Sequence, residues 1–141
     1  SKGDEHIRVF NKIAQGCRFF VSQGVYDVNA SKNFLSEYYY YGQAHNIPLV
    51  PILFTLTPCG SPKTLQFMKW LGISIPQWLE NELIHSNDIL QKAVYFSEQS
   101  WRELKSFADE KGIPIGCNIE SVAIRKVEVD ASIELLQRVS Q

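Results

Sequence analysis

Three short runs of apolar and aromatic residues, each followed by a segment with helical spacing, constrain the fold of this chain more than any other feature. The runs occupy residues 17–22, 49–56 and 113–122. They are mostly continuous rather than alternating in character, which predicts strands that are buried on both faces. Because helical segments separate the runs, we expect parallel strands in β/α units rather than hairpins. The predicted fold class is therefore α/β.

Local signals place the helix ends. Ser61 followed by Pro62 predicts a helix start, because serine is a good N-cap and proline lacks the amide that would be left unpaired at the first helical position. Asn29 is the candidate N-cap of the helix that contains residues 38–41. Helices are expected to end near three glycines, which are Gly16, Gly72 and Gly112.

Aromatic residues are abundant on the helical segments. Four consecutive tyrosines, residues 38–41, span more than one helical turn, so we expect some rings inside the protein and others at its surface. Packing explains the run, and an interface is the alternative, because exposed tyrosine favours protein contacts. The three tryptophans are expected to be buried against neighbouring elements, and they are Trp70, Trp78 and Trp101.

The length of the chain conflicts with a complete fold of this type. Three parallel strands leave two sheet edges unpaired, whereas parallel sheets are normally wide and covered. A whole (β/α)8 barrel needs roughly 250 residues, and this chain has 141. We therefore expect residues 1–141 to form a single partial (β/α) barrel domain that belongs to a longer chain. The alternative is a sheet completed by another copy or by a missing partner.

Composition and charge exclude several classes of function. The net charge is −1 and the one basic doublet lies at residues 125–126, so no electropositive face for nucleic acid is expected. No apolar run approaches the ~20 residues of a membrane span. The three histidines have no mutual ligand spacing, so no metal site is predicted. An odd number of widely spaced cysteines argues against a secreted disulfide scaffold and favours a cytoplasmic protein.

The fold class also predicts where a ligand would bind. In parallel β/α proteins, ligands bind at the carboxyl ends of the strands, on the loops that lead into the helices. This rule selects residues 22–27, 55–60 and 118–121.

These same stretches resemble a known family. Residues 20–27, FVSQGVYD, look like the "ITQ-aromatic-aromatic-D" strand end of the methylenetetrahydrofolate reductases. Residues 50–60 are similar to the following "PGI-P" strand and loop, and residues 73–78 resemble the segment "V-x-I-P-x-W". The resemblance covers nearly the whole chain but only the last three β/α units of the family barrel. It implies the C-terminal part of a TIM-type (β/α)8 barrel.

The resemblance implies roles for residues on the first two strand ends. Gln23 matches the glutamine that hydrogen-bonds folate and nicotinamide, and a carboxamide offers a pterin edge both a donor and an acceptor. The alternative is a glutamine that caps a strand-end amide. Tyr26, in the same stretch, is a further candidate for substrate or cofactor binding. Phe67 matches an aromatic residue that packs on folate or cofactor rings, with a plain core role as the alternative. Lys63 either attracts the glutamate carboxylates of folate or is a solvated residue at a helix start.

The third strand departs from the family pattern "HFYTLNR". Here the sequence reads GCNIESV at residues 116–122, so the tyrosine position becomes Ile119 and the arginine is not matched in register. Asn118 and Glu120 lie on one face of this strand by its period of two. If that face is the barrel lumen, Asn118 lines the site and Glu120 is a candidate catalytic acid, base or folate ligand. If it is the outer face, Glu120 is solvated or caps the next helix.

The implied activity is reduction of methylene-tetrahydrofolate by NAD(P)H through FAD in the intact parent protein. The family's proton-donating acid and its flavin-binding strand fall outside the matched units, so we expect the isolated chain to be inactive. The alternative function is a non-catalytic binding or assembly module that forms a homo-oligomer or associates with a missing N-terminal half. A third interpretation is an unrelated parallel α/β domain.

Overall fold

Helices separate the strands along the chain in the computed structural model, which describes residues 4–121 and 126–140. The strands are β1 (Phe20–Gly24), β2 (Ile52–Leu56) and β3 (Ile115–Ile119). The helices are α1 (Glu5–Ala14), α2 (Val28–Ala44), α3 (Pro62–Trp70), α4 (Gln77–Ile84), α5 (Ile89–Lys111) and α6 (Lys126–Val139).

The three strands form one parallel sheet in the order β1-β2-β3, which confirms the predicted α/β class. One face of the sheet packs on helices: Ile52, Phe54 and Leu56 are buried in the main core. On β3, the core-facing residues are at positions 115, 117 and 119. The opposite face is called the open face and consists of Val21, Leu53, Thr55, Gly116 and Asn118, by strand alternation and pairing.

The strands are shorter than the apolar runs from which they were predicted. Each begins close after a proline or a loop, at Phe20, Ile52 and Ile115, rather than at residues 17, 49 and 113. Proline has no amide to donate to the ladder, and Pro51 and Pro114 contribute only their carbonyls, to Phe20 N and Ile52 N. The end of the third run, at residue 122, lies outside the described residues.

The helix starts show one correct and one wrong prediction. Ser61 caps α3, because its hydroxyl accepts a hydrogen bond from Thr64 N at 3.1 Å, as predicted. Asn29 is not the N-cap of α2. Asp27 takes that place, since its Oδ1 accepts from Ala30 N at 3.1 Å, and the helix has already begun at Val28.

A second cluster of buried residues lies at the carboxyl end of the sheet. It joins α3 and α4 to the strand-end loops and to the start of α5, and it contains Tyr26, Cys59, Leu65, Met68, Ile73, Leu79, Leu83 and Ala93. The two short helices and the loop between them are called the α3–α4 cap. The cap packs on the loops that follow β1 and β2.

The aromatic residues divide between core and surface. Tyr38 is completely buried while Tyr40 is 56% exposed, which confirms that the tyrosine run spans both environments. Trp101 is buried as predicted, but the prediction was wrong for Trp70 and Trp78, which are 79% and 60% exposed. The cap helices turn their leucines into the second cluster, and this leaves the tryptophans on their outer faces.

Two further features concern the described part of the chain only. No helix there is both long and apolar enough to cross a membrane. Its three cysteines form no disulfide, and no group of three or more His, Cys, Asp or Glu side chains within residues 4–121 and 126–140 is arranged to hold a metal ion.

Candidate functional site

The carboxyl ends of the three strands meet at one edge of the sheet, beneath the α3–α4 cap. β1 ends at Gly24, β2 at Leu56 and β3 at Ile119. A side chain on Gly24 would have its Cβ 3.2 Å from Ile73 Cδ1 and 3.4 Å from Thr57 Oγ1, so the cap loop lies directly against the end of β1. The rule for parallel sheets places a ligand at this edge.

A β-bulge interrupts β1 where the site begins. Val21 pairs with Leu53 and Gly24 pairs with Thr55, so two β1 residues, Ser22 and Gln23, stand opposite a single β2 residue. Bulges bend a strand and redirect its side chains, and they are common beside binding sites. The sequence alone did not reveal this bulge.

Hydroxyl groups replace part of the backbone ladder at the bulge. Thr55 N donates to Ser22 Oγ at 3.1 Å, and Thr55 Oγ1 donates to the Ser22 carbonyl at 2.6 Å. The Ser22 hydroxyl donates in turn to the Gln23 carbonyl at 2.7 Å. The polar Thr55 within an apolar strand was the available signal for this arrangement, and it is 3% exposed.

Gln23 is exposed at the bulge. It lines a cavity of about 700 Å³ that follows β1 and includes Gly72 and Ser74 of the cap loop. This volume lies within the range of ordinary small-molecule sites. Lys63, Phe67, Asn118 and Glu120 are not among the residues that line the cavity.

Asn118 lies on the open face with Glu120 beside it. Ile119 packs toward the helices while Asn118 Nδ2 donates to Glu120 Oε1 at 3.1 Å, so the pair occupies the side of β3 that faces away from the core. That this open face lines a barrel lumen stays a prediction. Thr55 pairs with both Gly24 and Asn118, so Gln23 and Asn118 stand about two strand spacings apart, roughly 10 Å.

Lys63 and Phe67 lie one helical turn apart and are both exposed on α3. Phe67 is 43% exposed and is not a core residue, because α3 buries Thr64, Leu65 and Met68 instead. Its ring stacks on Trp70, with ring centroids 5.9 Å apart and an interplanar angle of 18°. Trp70 was not considered as a site residue, and its 79% exposure is a tertiary property that no local pattern signals.

Tyr26 takes a supporting position rather than an exposed one. Its side chain is 1% exposed, stacks on Phe96 and donates a hydrogen bond to the Thr57 carbonyl. These contacts join the loop after β1 to the loop after β2. Tyr26 also lines the cavity beside Gln23, and its contact with a ligand stays a prediction.

The loops after β1 and β2 lack the usual phosphate-binding features of a flavin or dinucleotide site. In the loops after β1 and β2 and in the first turns of α2 and α3, Lys63 is the one cation, and none of these loops is a glycine-rich phosphate cradle. Cys117 faces the core, and burial raises the pKa of its thiol, so it is not a reactive thiolate. Arg8 and Lys12 of α1 also line the cavity beside Gln23, so cationic side chains lie next to it.

Comparison with known proteins gives matches of two kinds. The family model for methylenetetrahydrofolate reductase matches residues 2–105. A solved structure of an uncharacterised protein from Clostridium thermocellum, described as binding two copies of 5-methyl-5,6,7,8-tetrahydrofolic acid, is 58% identical and superimposes with a TM-score of 0.89. That match covers 98% of this chain and 49% of the other, so this chain spans about half its length. No match was found among the curated proteins.

Proposed function

The chain belongs to the methylenetetrahydrofolate reductase family, and we propose that its strand-end site binds a reduced folate. The observation that carries the proposal is the pair of exposed or half-exposed carboxamides, Gln23 and Asn118, on either side of Thr55 at the carboxyl edge of the sheet. Support comes from the 58% identical protein that binds a methylated tetrahydrofolate.

The chemistry of a folate matches the groups on offer. Its pterin ring carries donors and acceptors on one edge, and an amide side chain such as Gln23 or Asn118 can satisfy both without a charge. Its flat rings suit the exposed face of Phe67, where aromatic stacking contributes about 0.5–1.5 kcal/mol. Its glutamate tail is anionic, and Lys63 lies about 6 Å along α3 from Phe67, four residues at 1.5 Å each.

Glu120 is proposed as the acidic member of this site. The hydrogen bond from Asn118 Nδ2 holds its carboxylate beside the open face. In that position it would accept hydrogen bonds from ring N–H groups of the ligand or exchange a proton with them. Glu120→Gln keeps the shape of the side chain and removes its charge. The pH dependence of folate binding in this variant, compared with that of the wild type, separates hydrogen bonding from proton exchange.

Reduction of methylene-tetrahydrofolate by NAD(P)H is the finer proposal, and it concerns a protein with more β/α units than this chain. The loops after β1 and β2 carry no glycine-rich phosphate cradle, and no step through flavin is assigned to these residues. We expect the 141-residue chain with added FAD to oxidise no NAD(P)H. Robust turnover by the chain alone would contradict this assignment, and folate binding without turnover would favour a binding module.

The unpaired edges of the two outer strands suggest where partners would bind. Among the described residues, β1 and β3 each pair with β2 and with no further strand. We propose that further β/α units, from a longer chain or from a second copy, join these edges, because unpaired parallel edges are unfavourable. Sedimentation analysis tests the second copy, and a stable 16.1 kDa monomer would refute it. A cytoplasmic location stays a prediction, consistent with cysteines that form no disulfide.

Isothermal titration with 5-methyl-tetrahydrofolate tests the binding site. We expect Gln23→Ala and Phe67→Ala each to weaken binding by about tenfold, which corresponds to roughly 1.4 kcal/mol. The matched controls are Gln99→Ala and Tyr95→Ala on the exposed surface of α5, and these should bind like the wild type. The proposal fails if the wild-type protein does not bind at millimolar ligand, or if both site variants bind as tightly as the controls.

A further inference from the structure

The geometry at the bulge points to a role for two residues that do not face the ligand themselves. We propose that Ser22 and Thr55 are positioning residues, whose hydroxyl groups hold the β1 bulge and so fix the direction in which Gln23 leaves the sheet. The inference rests on the proposed function, because Gln23 matters only if a ligand contacts it.

At the bulge, the Thr55 amide would lack a partner without the side chain of Ser22. In a regular parallel pair, the Thr55 amide would donate to a backbone carbonyl of its neighbour. Here it donates to Ser22 Oγ at 3.1 Å. The backbone ladder resumes one step later, where Val25 N donates to the Thr55 carbonyl at 2.9 Å. The serine hydroxyl therefore bridges the break in the ladder.

The hydroxyl groups also affect the backbone around Gln23. The carbonyl of Ser22 accepts from Thr55 Oγ1 at 2.6 Å, and the carbonyl of Gln23 accepts from Ser22 Oγ at 2.7 Å. A side-chain hydroxyl thus holds the carbonyl on each side of the Gln23 α-carbon. Both backbone torsions of Gln23 are restrained, and its side chain is oriented before a ligand arrives.

Neither water nor a movement of the strand readily replaces the hydrogen bonds of Ser22 and Thr55. Thr55 is 3% exposed, so water does not readily replace its hydroxyl. Gly24 lies against Ile73 of the cap loop, where a Cβ would be 3.2 Å from its Cδ1. The strand therefore has little room to move toward the cap and form other hydrogen bonds. The bulge keeps the hydrogen bonds that Ser22 and Thr55 provide.

A mutant cycle separates positioning from plain structural support. Binding of 5-methyl-tetrahydrofolate is measured for the wild type, Thr55→Val, Gln23→Ala and the double variant, with the melting temperature of each. We expect Thr55→Val to weaken binding about tenfold in the wild-type background and not at all in the Gln23→Ala background, since coupled residues are not additive. Thr55→Ser, which keeps the hydroxyl, should bind within about twofold of the wild type.

Amide hydrogen exchange of the ligand-free protein gives a second measurement, which remains usable if Thr55→Val does not fold. Ser22→Ala should accelerate exchange of the Thr55 amide at least tenfold. The Ile52 amide, which donates to Pro114 on the other neighbour, should be unaffected and serves as the control.

The outcomes are distinct. A wild-type protein that binds while Thr55→Val binds equally well, or an effect of Thr55→Val that adds fully to that of Gln23→Ala, overturns the positioning role alone. Unchanged exchange at Thr55 in Ser22→Ala overturns it as well. A wild-type protein that binds no folate overturns the proposed function and the positioning role together.

Discussion

Tyr38 links α2 to the segment before β2 through a hydroxyl that both donates and accepts a hydrogen bond. It donates to the Val50 carbonyl and accepts from the Val50 amide, each at 2.8 Å, and its side chain is completely buried. Replacement by phenylalanine keeps the ring and removes only the oxygen. Both backbone groups of Val50 are then left without this partner.

The expected loss follows from these two hydrogen bonds. A net contribution of about 1 kcal/mol for each predicts that Tyr38→Phe lowers the free energy of unfolding by about 2 kcal/mol at pH 8. For a chain of this length, that corresponds to a melting temperature lower by about 6–8 °C. Tyr40→Phe is the matched control, because Tyr40 is 56% exposed and should change stability very little.

The pH dependence of the free energy of unfolding gives an independent check on the Tyr38 hydroxyl. Burial raises the pKa of Tyr38 from 10.0 to about 12, an effect that the hydrogen bond from Val50 N partly offsets. Because the pKa of Tyr38 is higher in the folded state, the unfolded chain releases this proton first as the pH rises. The contribution of Tyr38 to the free energy of unfolding is therefore fully present below pH 10 and is lost as the pH rises toward 12. The loss is roughly 1.4 kcal/mol by pH 11.

Urea denaturation at pH 8 and pH 11 measures both quantities. The wild type should be more stable than Tyr38→Phe by about 2 kcal/mol at pH 8 and by roughly 0.6 kcal/mol at pH 11. A loss in Tyr38→Phe as small as that in Tyr40→Phe would refute the hydrogen-bond argument. A difference that stays constant between the two pH values would refute the shifted pKa.

Three further predictions concern stability and are all measured by urea denaturation. Ser97→Ala should raise the free energy of unfolding by about 0.5–1 kcal/mol, because its buried Oγ has no hydrogen-bond partner in the described part of the chain and alanine favours the helix; destabilisation would contradict this. Gly112→Ala should cost about 1 kcal/mol, since Gly112 has φ +71° with open space around a Cβ, and a neutral result would refute a purely conformational cost. Lys69→Met should cost about 1–3 kcal/mol and more than Glu80→Gln, because it leaves a nearly buried carboxylate without its ion pair at 3.0 Å; the reverse order would be inconsistent with that reasoning.

The sequence predicted the features that depend on neighbours along the chain. The parallel β/α order followed from continuous apolar runs, and the start of α3 followed from Ser61 and Pro62. The strand-end rule also selected the ends of β1 and β3, where Gln23 and Asn118 are found. Each of these is a local pattern that the tertiary structure does not override.

Features that depend on contacts across the fold were not predicted. The exposure of Trp70 is determined by how the cap docks on the strand ends, and a helical segment alone does not indicate which face is turned outward. The bulge at Ser22 depends on the register with β2, which becomes defined only when Thr55 is in place. The N-cap of α2 was misplaced by two residues because Asp27 and Asn29 are both good caps.

The distribution of the tryptophans gives this protein two separate spectroscopic reporters. Trp101 is 8% exposed in the core and should emit at short wavelength, shielded from soluble quenchers. Trp70 and Trp78 are largely exposed on the cap and should emit at long wavelength. Because Trp70 stacks on Phe67, a ring that docks on Phe67 would quench the long-wavelength emission and leave the core signal unchanged. Occupancy of the cap and integrity of the core can thus be followed in one fluorescence spectrum without any added label.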